Sequence, residues 1–572
     1  MKLMKTFFLH LLLCGPFFLH AQSIPTPFEL DSNQTATYEE IIHYYELLDD
    51  QFEEMELQEV GPTDIGLPLH AVILNKDGIF ERQPEQLVLF VNNGIHPGEP
   101  CGVDASMMWV RDLLEYEQLP EDMTIVLIPI YNVGGALNRN RYSRANQLGP
   151  ESHGFRGNAR NYDLNRDFIK CDTKNAQTFN QLFAYWQPHL FVDTHTSNGA
   201  DYQHTMTLIP SLADRLPLGM GHMMRQTLLP DVYARMSRKG WDMVPYVYAR
   251  STPDQGIIAF PDWPRYSSGY AALHHAYGFT TETHMLKPFA DRVWSTHAIL
   301  ETFFEAAIDH RDSIVQTIAE ARSAFRQKQP YALGAELDTS RYTMIPFKGY
   351  TADYKPSAIS GEPRLYYDHE RPFSMEIPYY EFYRLTAKVD LPEGYLIPAA
   401  YQEVIDRLLW NGIELQPVSV GSSYTVEQYT IEDFETTSRP YEGHYLHSEV
   451  ELSQAQTTYT ARVGDIYVPL RQAGWRYILE TLEPKAKDSF FAWNFMDAIL
   501  QRKEGYSSYV FEDTAADLLE QDEALRTAFA EAKKAHPEWK DQKGAALRWI
   551  YLNSPYAEPT VNQYPILRVV SR

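Results

Sequence analysis

The hydrophobic pattern along the chain switches between two periods, and the switches delimit its elements. Over residues 30–57, apolar Ile41, Ile42, Tyr45, Leu47 and Leu48 recur at helical spacing amid acids, which predicts an amphipathic helix. From residue 67 the texture shortens into β-rich runs, LPLHAVIL, QLVLFVNN and MTIVLIPIYN. A helical pattern fills 102–115, between the last two. HLFVDTHT at 189–196 and FTTETHM at 279–285 read as further buried strands, and 291–328 as a long helical stretch that closes the domain. Strands alternating with helices predict an α/β domain over 30–328 with a mixed, mainly parallel sheet. After Gln329-Pro330 the pattern changes again. Residues 331–480, rich in Tyr, Thr, Val and Pro, predict a β-rich accessory region, and 481–572 a mainly helical C-terminal region.

The first 21 residues stand apart. Lys2 and Lys5 precede an apolar run from Phe7 to Phe18, and Ala21 offers a small residue for cleavage. This is the pattern of a secretory signal peptide, and the run is short for a membrane span. With no second stretch of that kind, the product is expected to be secreted or periplasmic, with no membrane span after cleavage. Only Cys101 and Cys171 remain then, enough for one disulfide but not for a disulfide scaffold.

Composition narrows the function. The 572 residues carry 50 Lys and Arg against 76 Asp and Glu, a formal charge of −26. Such a balance argues against a nucleic-acid partner. A 44% apolar content rules out a wholly disordered chain.

Four short clusters carry the candidate chemistry. His96 and Glu99 follow the strand QLVLFVNN, and in a tight turn their spacing lets both side chains face one ion. His195 ends the strand LFVDTH at the sheet's carboxyl edge, where open α/β folds bind ligands. It completes a His/Glu/His set with a fourth position left for water, which suits zinc best. Asp193, two residues back on the same face, is either an acceptor for a ligand imidazole or a buried acid satisfied by backbone. Glu282 lies in a Thr-rich, otherwise apolar strand, where an ionised carboxylate is costly unless it is paired, so its presence asks for a reason. Beside an activated water it can take a proton and return it to a leaving amine. His284 points to the same face, but the His96–Glu99–His195 set is preferred. Arg156, Arg160 and Arg166, interleaved with Asn158, Asn161 and Asn165, concentrate positive charge suited to clamping a carboxylate.

His96-x-x-Glu99, Arg156-x-Asn158, Asp163-Leu164-Asn165-Arg166, His195 and Thr281-Glu282 together resemble the zinc metallocarboxypeptidases, the carboxypeptidase A-like family, over about residues 35–310. That resemblance implies a mixed sheet sandwiched by helices and one Zn²⁺ held by His96, Glu99 and His195. It implies Glu282 as general base and acid, Arg156 as oxyanion donor and Asn165 with Arg166 as the clamp on the substrate's terminal carboxylate. The substrate is then a peptide with a free C-terminal carboxylate. The family's mobile tyrosine corresponds to Tyr266 or Tyr270. Where relatives have Asn-Pro-Asp-Gly, this chain has Asn132-Val133-Gly134-Gly135. The Asp-Thr-His-Thr-Ser run around His195 also resembles acyl-amino-acid deacylases, so the alternative is a zinc-dependent deacylase or amidase of N-acyl amino acids or cell-wall peptides.

Overall fold

A computed structural model describes residues 23–325, 329–542 and 544–571. The predicted leader, 1–21, lies outside them. Strands β1 (Met55–Pro62), β2 (Pro68–Asn75), β3 (Leu87–Asn92), β4 (Met123–Ile128), β5 (Leu190–Ser197), β6 (Met206–Pro210), β7 (Val244–Pro245), β8 (Ile257–Ile258) and β9 (Tyr277–His284) precede residue 285. All but β8 join one sheet in the order β1-β2-β4-β3-β5-β9-β6-β7. Its centre, β4-β3-β5-β9, is parallel, while β1, β2 and β6 attach antiparallel. The sheet is therefore mixed, as predicted.

Strand alternation divides the interior into two cores. Leu87, Leu89 and Val91 face one side with Trp109 and Phe303, from the helices Cys101–Glu115 and Phe289–Asp309. Val88 and Phe90 face the other, against Phe179 and Phe183 of the helix Lys174–Trp186. This second core runs on without a break into Tyr395, Val468, Tyr477 and Trp493. Residues beyond 390 thus cover one face of the same sheet. Strands of that region form a six-stranded sheet that includes the hairpin Ser423–Thr436/His447–Thr460 and holds Leu567–Ser571 in its interior. The helical stretch predicted over 291–328 consists of two helices, Phe289–Asp309 and Arg311–Ser323, parted at His310. No helix among the described residues is long and apolar enough to cross a membrane. Cys101 and Cys171 are free, buried thiols.

One buried acid makes stability depend on pH. Asp104, fully buried, accepts from Thr35 Oγ1 (2.5 Å) and Ala36 N (3.2 Å). Burial pushes its carboxyl up to about 7 despite those donors. The unfolded chain gives up this proton near pH 4 and the folded one near 7, so the protein loses stability as pH rises between the two. Asp104→Asn removes that slope. In urea unfolding at pH 4 and pH 8, the stability difference between wild type and variant is expected to change by about 4 kcal/mol.

Candidate active site

The site forms where the parallel strands end. β3 runs into a turn at 93–100, in which Glu99 N donates to His96 O (2.8 Å). Gly94 has φ 63°, and a Cβ there would strike Ile130, so only glycine admits this exit from the strand. β5 and β9 are adjacent and parallel, with His195 in register with Glu282. That pairing explains why residues 87 apart in sequence meet. Asn132 caps the short helix Val133–Leu137 through its Oδ1 and donates Nδ2 to Arg156 O (2.9 Å), anchoring the backbone of the arginine segment.

His96, Glu99 and His195 are buried, and one donor atom from each lies within 4.8 Å of the others. Each imidazole is held from behind. His96 Nε2 donates to Asp163 Oδ1 (2.9 Å), and His195 Nε2 to Asp193 Oδ2 (2.9 Å). Asp193 in turn accepts from Asn92 Nδ2 (3.0 Å), so it is the imidazole's partner rather than an acid satisfied by backbone. These bonds fix both rings with Nδ1 turned inward. His195 Nδ1 lies 3.0 Å from Glu99 Oε2, and His96 Nδ1 is 3.4 Å from Glu99 Oε1 with no hydrogen bond of its own. Burial pushes the His195 imidazole down, yet Asp193 and Glu99 hold it well above its usual range. Burial pushes Glu99 up, yet Arg144, His96 and His195 hold it well below the carboxylate range. A pocket that so favours a proton beside Glu99 is one that a cation satisfies. Two inward nitrogens, one carboxylate and a polar second layer fit zinc.

The surrounding cleft, about 270 Å³, is lined by His96, Glu99, Arg156, Asn165, Arg166, His195 and Glu282, every site residue expected from the sequence. Glu282 is half-buried, its Oε2 is shielded from solvent and has no hydrogen-bond partner, and desolvation pushes its carboxyl up to about 8. His195 opposes that rise and Glu99 adds to it. Arg156 Nε donates to Asp163 Oδ2 (2.9 Å). Asp163 thus joins the His96 imidazole to an arginine of the cleft. Burial pushes its carboxyl up, but His96, Arg156 and Arg166 hold it below its usual range. Asn165 Oδ1 accepts from Ser267 N (3.1 Å), leaving its NH₂ end as a donor. The Arg166 guanidinium lies over the Tyr266 ring, 4.5 Å from its centroid.

Of the two candidate tyrosines, Tyr266 lines the cleft, whereas Tyr270 is fully buried and donates to Asn411 Oδ1 (2.6 Å). His284 stacks edge-on against Tyr202 and stays out of the ligand group. Arg144 is the residue that sequence reasoning missed. It donates to Glu99 Oε1 (2.7 Å) and to Thr196 O (2.8 Å), tying the first ligand segment to the strand that carries His195. The basic run Asn138 to Arg144 was its only local signal.

Residues 41–208 match the family described as zinc carboxypeptidase, a span that holds His96, Glu99, Arg156, Asn165, Arg166 and His195. Carboxypeptidase 2 of Trichophyton equinum is 22% identical over 440 residues, covering 73% of this chain and 75% of the relative. Carboxypeptidase 2 of Trichophyton rubrum is 21% identical over 435 residues, covering 72% and 74%. A crystal structure of metallo-carboxypeptidase from Burkholderia cenocepacia aligns with TM-score 0.38 at 15% identity, over 48% of this chain and 70% of that one. The family match spans all three residues of the buried His/Glu/His group, and the family uses one zinc ion. Over residues 41–208 this chain is thus similar to the zinc carboxypeptidases, a family of metal-dependent hydrolases.

Proposed function

We propose that the protein removes single residues from the carboxyl end of peptides, beyond the inner membrane, where the leader at 1–21 would direct it. The observation that carries this reading is the grouping of Asn165 and Arg166 with the zinc triad and Glu282 in one cleft. A zinc ion, when bound by His96, Glu99 and His195, supplies Lewis acidity that polarises a carbonyl and acidifies water. Glu282, whose shielded Oε2 has no hydrogen-bond partner, takes the proton of the attacking water and passes it to the leaving nitrogen. Arg156 donates to the oxygen on which negative charge develops. Asp163 holds the Arg156 Nε and Glu99 Oε1 accepts from Nη1 at 3.4 Å, which leaves Nη2 for that oxygen. Arg166 and the Asn165 NH₂ grip the terminal carboxylate, and a peptide without one gains nothing from them. Tyr266, beneath the guanidinium, restricts how Arg166 can turn.

The test uses a peptide library in free-acid and C-terminally amidated forms, read by mass spectrometry. Wild type is expected to shorten the free acids one residue at a time and to leave the amides intact. Arg166→Met is expected to lower kcat/KM on free acids by about 10²-fold, the scale of losing one partner of a desolvated charge pair. Equal cleavage of acids and amides would contradict the assignment of Arg166. Zinc loading without peptide shortening would move the activity to acyl amino acids or cell-wall peptides.

A further inference from the structure

Asp163 is the hub of the site, and its own backbone is held from 279 residues away. Its Oδ1 accepts from His96 and from Asn165 N (2.9 Å), and its Oδ2 from Arg156. Its N–H donates to Glu442 Oε2 (2.8 Å). Glu442 belongs to the loop joining the strands Ser423–Thr436 and His447–Thr460, in the region that follows the catalytic sheet.

The loop ends in a tight turn, Tyr441 to His444, closed by Tyr441 N to His444 O (2.7 Å) and His444 N to Tyr441 O (3.1 Å). Its two central residues, Glu442 and Gly443, have φ of 49° and 83°. Such a turn favours Asn, Asp or Gly at its first central position, and glutamate there is strained. Gly443 is required, because a Cβ would lie 2.7 Å from the Tyr162 hydroxyl. His444 Nε2 pairs with Asp172 Oδ2 (2.7 Å), and Tyr441 lies under the Arg265 guanidinium, so the turn is docked at both ends, against Asp172 on one side and Arg265 on the other. A strained glutamate, seated in a docked turn and bonded to the hub of the site, has the arrangement of a functional constraint rather than of a surface loop.

We propose that Glu442 is a positioning residue for this reaction, fixing the backbone of Asp163 and through it His96 and Arg156. The C-terminal region is then part of the catalytic apparatus. This rests on the zinc-site reading above, and on the substrate assignment for one of its two readouts.

Glu442→Gly separates positioning from structure. It relieves the left-handed strain and removes the acceptor, so thermal stability is expected to hold or rise. At the same time zinc loss to a chelator, measured without substrate, is expected to quicken about tenfold, and kcat on free-acid peptides to fall about tenfold with KM little changed, the scale of a lost hydrogen bond to a charged group. Glu442→Gln keeps an oxygen acceptor and is expected to recover most of both losses. Wild-type zinc release and kcat in Glu442→Gly would overturn the proposal, as would losses that Glu442→Gln fails to recover. If wild type shortens no peptide, the substrate assignment fails, while zinc release still decides the role of Glu442.

Discussion

Glu282→Gln is expected to load zinc like wild type and to lower kcat on free-acid peptides by about 10²–10⁴-fold, the range of a lost general acid–base group. The side chain keeps its size, so the packing of β9 against β5 is retained. What disappears is a cleft carboxylate with a shielded oxygen free of hydrogen bonds, in register with His195. Asp163, Asp193 and Glu99 all have partners on the ligand histidines or the arginines and cannot replace it. Because burial pushes Glu282 up to about 8, its replacement removes a charge that is costly to bury. The variant is therefore expected to be at least as stable as wild type at pH 9. Zinc content by atomic absorption and single-turnover kinetics check the pair of outcomes. Unchanged turnover would remove Glu282 from the mechanism.

The second large effect concerns the ligands. His195→Ala is expected to abolish both zinc retention and turnover, since two donors on one turn are left without the third wall of the site. Asp193→Asn is the finer probe. It keeps the size of the side chain but replaces the charged acceptor of the His195 Nε2 proton, and zinc affinity is expected to fall about 10–100-fold. Competition with a chromophoric chelator measures both. Wild-type affinity in Asp193→Asn would show that the buried acid serves the fold alone.

Local pattern carried the centre of the fold and little of its edges. β3 and β4 are buried on both faces and read as near-continuous apolar runs, and β5 and β9 begin on short apolar stretches before turning polar at the site. β1, MELQEVGP, is half exposed along most of its length, and its alternation is too weak to separate it from the preceding helix. β7 has two residues and no pattern at all. The break at His310 was invisible for another reason, since apolar spacing continues on both sides of it.

The same distinction governs the cleft. His96 and Glu99 lie three apart and His195 ends a legible strand, so their chemistry is local. Tyr266 and Tyr270 are four apart with equal side chains. Only packing separates the one at the helix start, under Arg166, from the one a turn further in. Arg144 lies in an irregular stretch without periodicity, and nothing near it in sequence points to Glu99. Glu442 meets Asp163 across 279 residues, a contact that belongs to tertiary structure and leaves no local trace.

The measurement that bears most directly on the zinc carboxypeptidase reading is anomalous diffraction at the zinc edge from crystals of the protein purified with zinc. One strong peak is expected, within bonding distance of His96 Nδ1, a Glu99 carboxylate oxygen and His195 Nδ1. Absence of a peak there, or a peak at other side chains, would contradict the account.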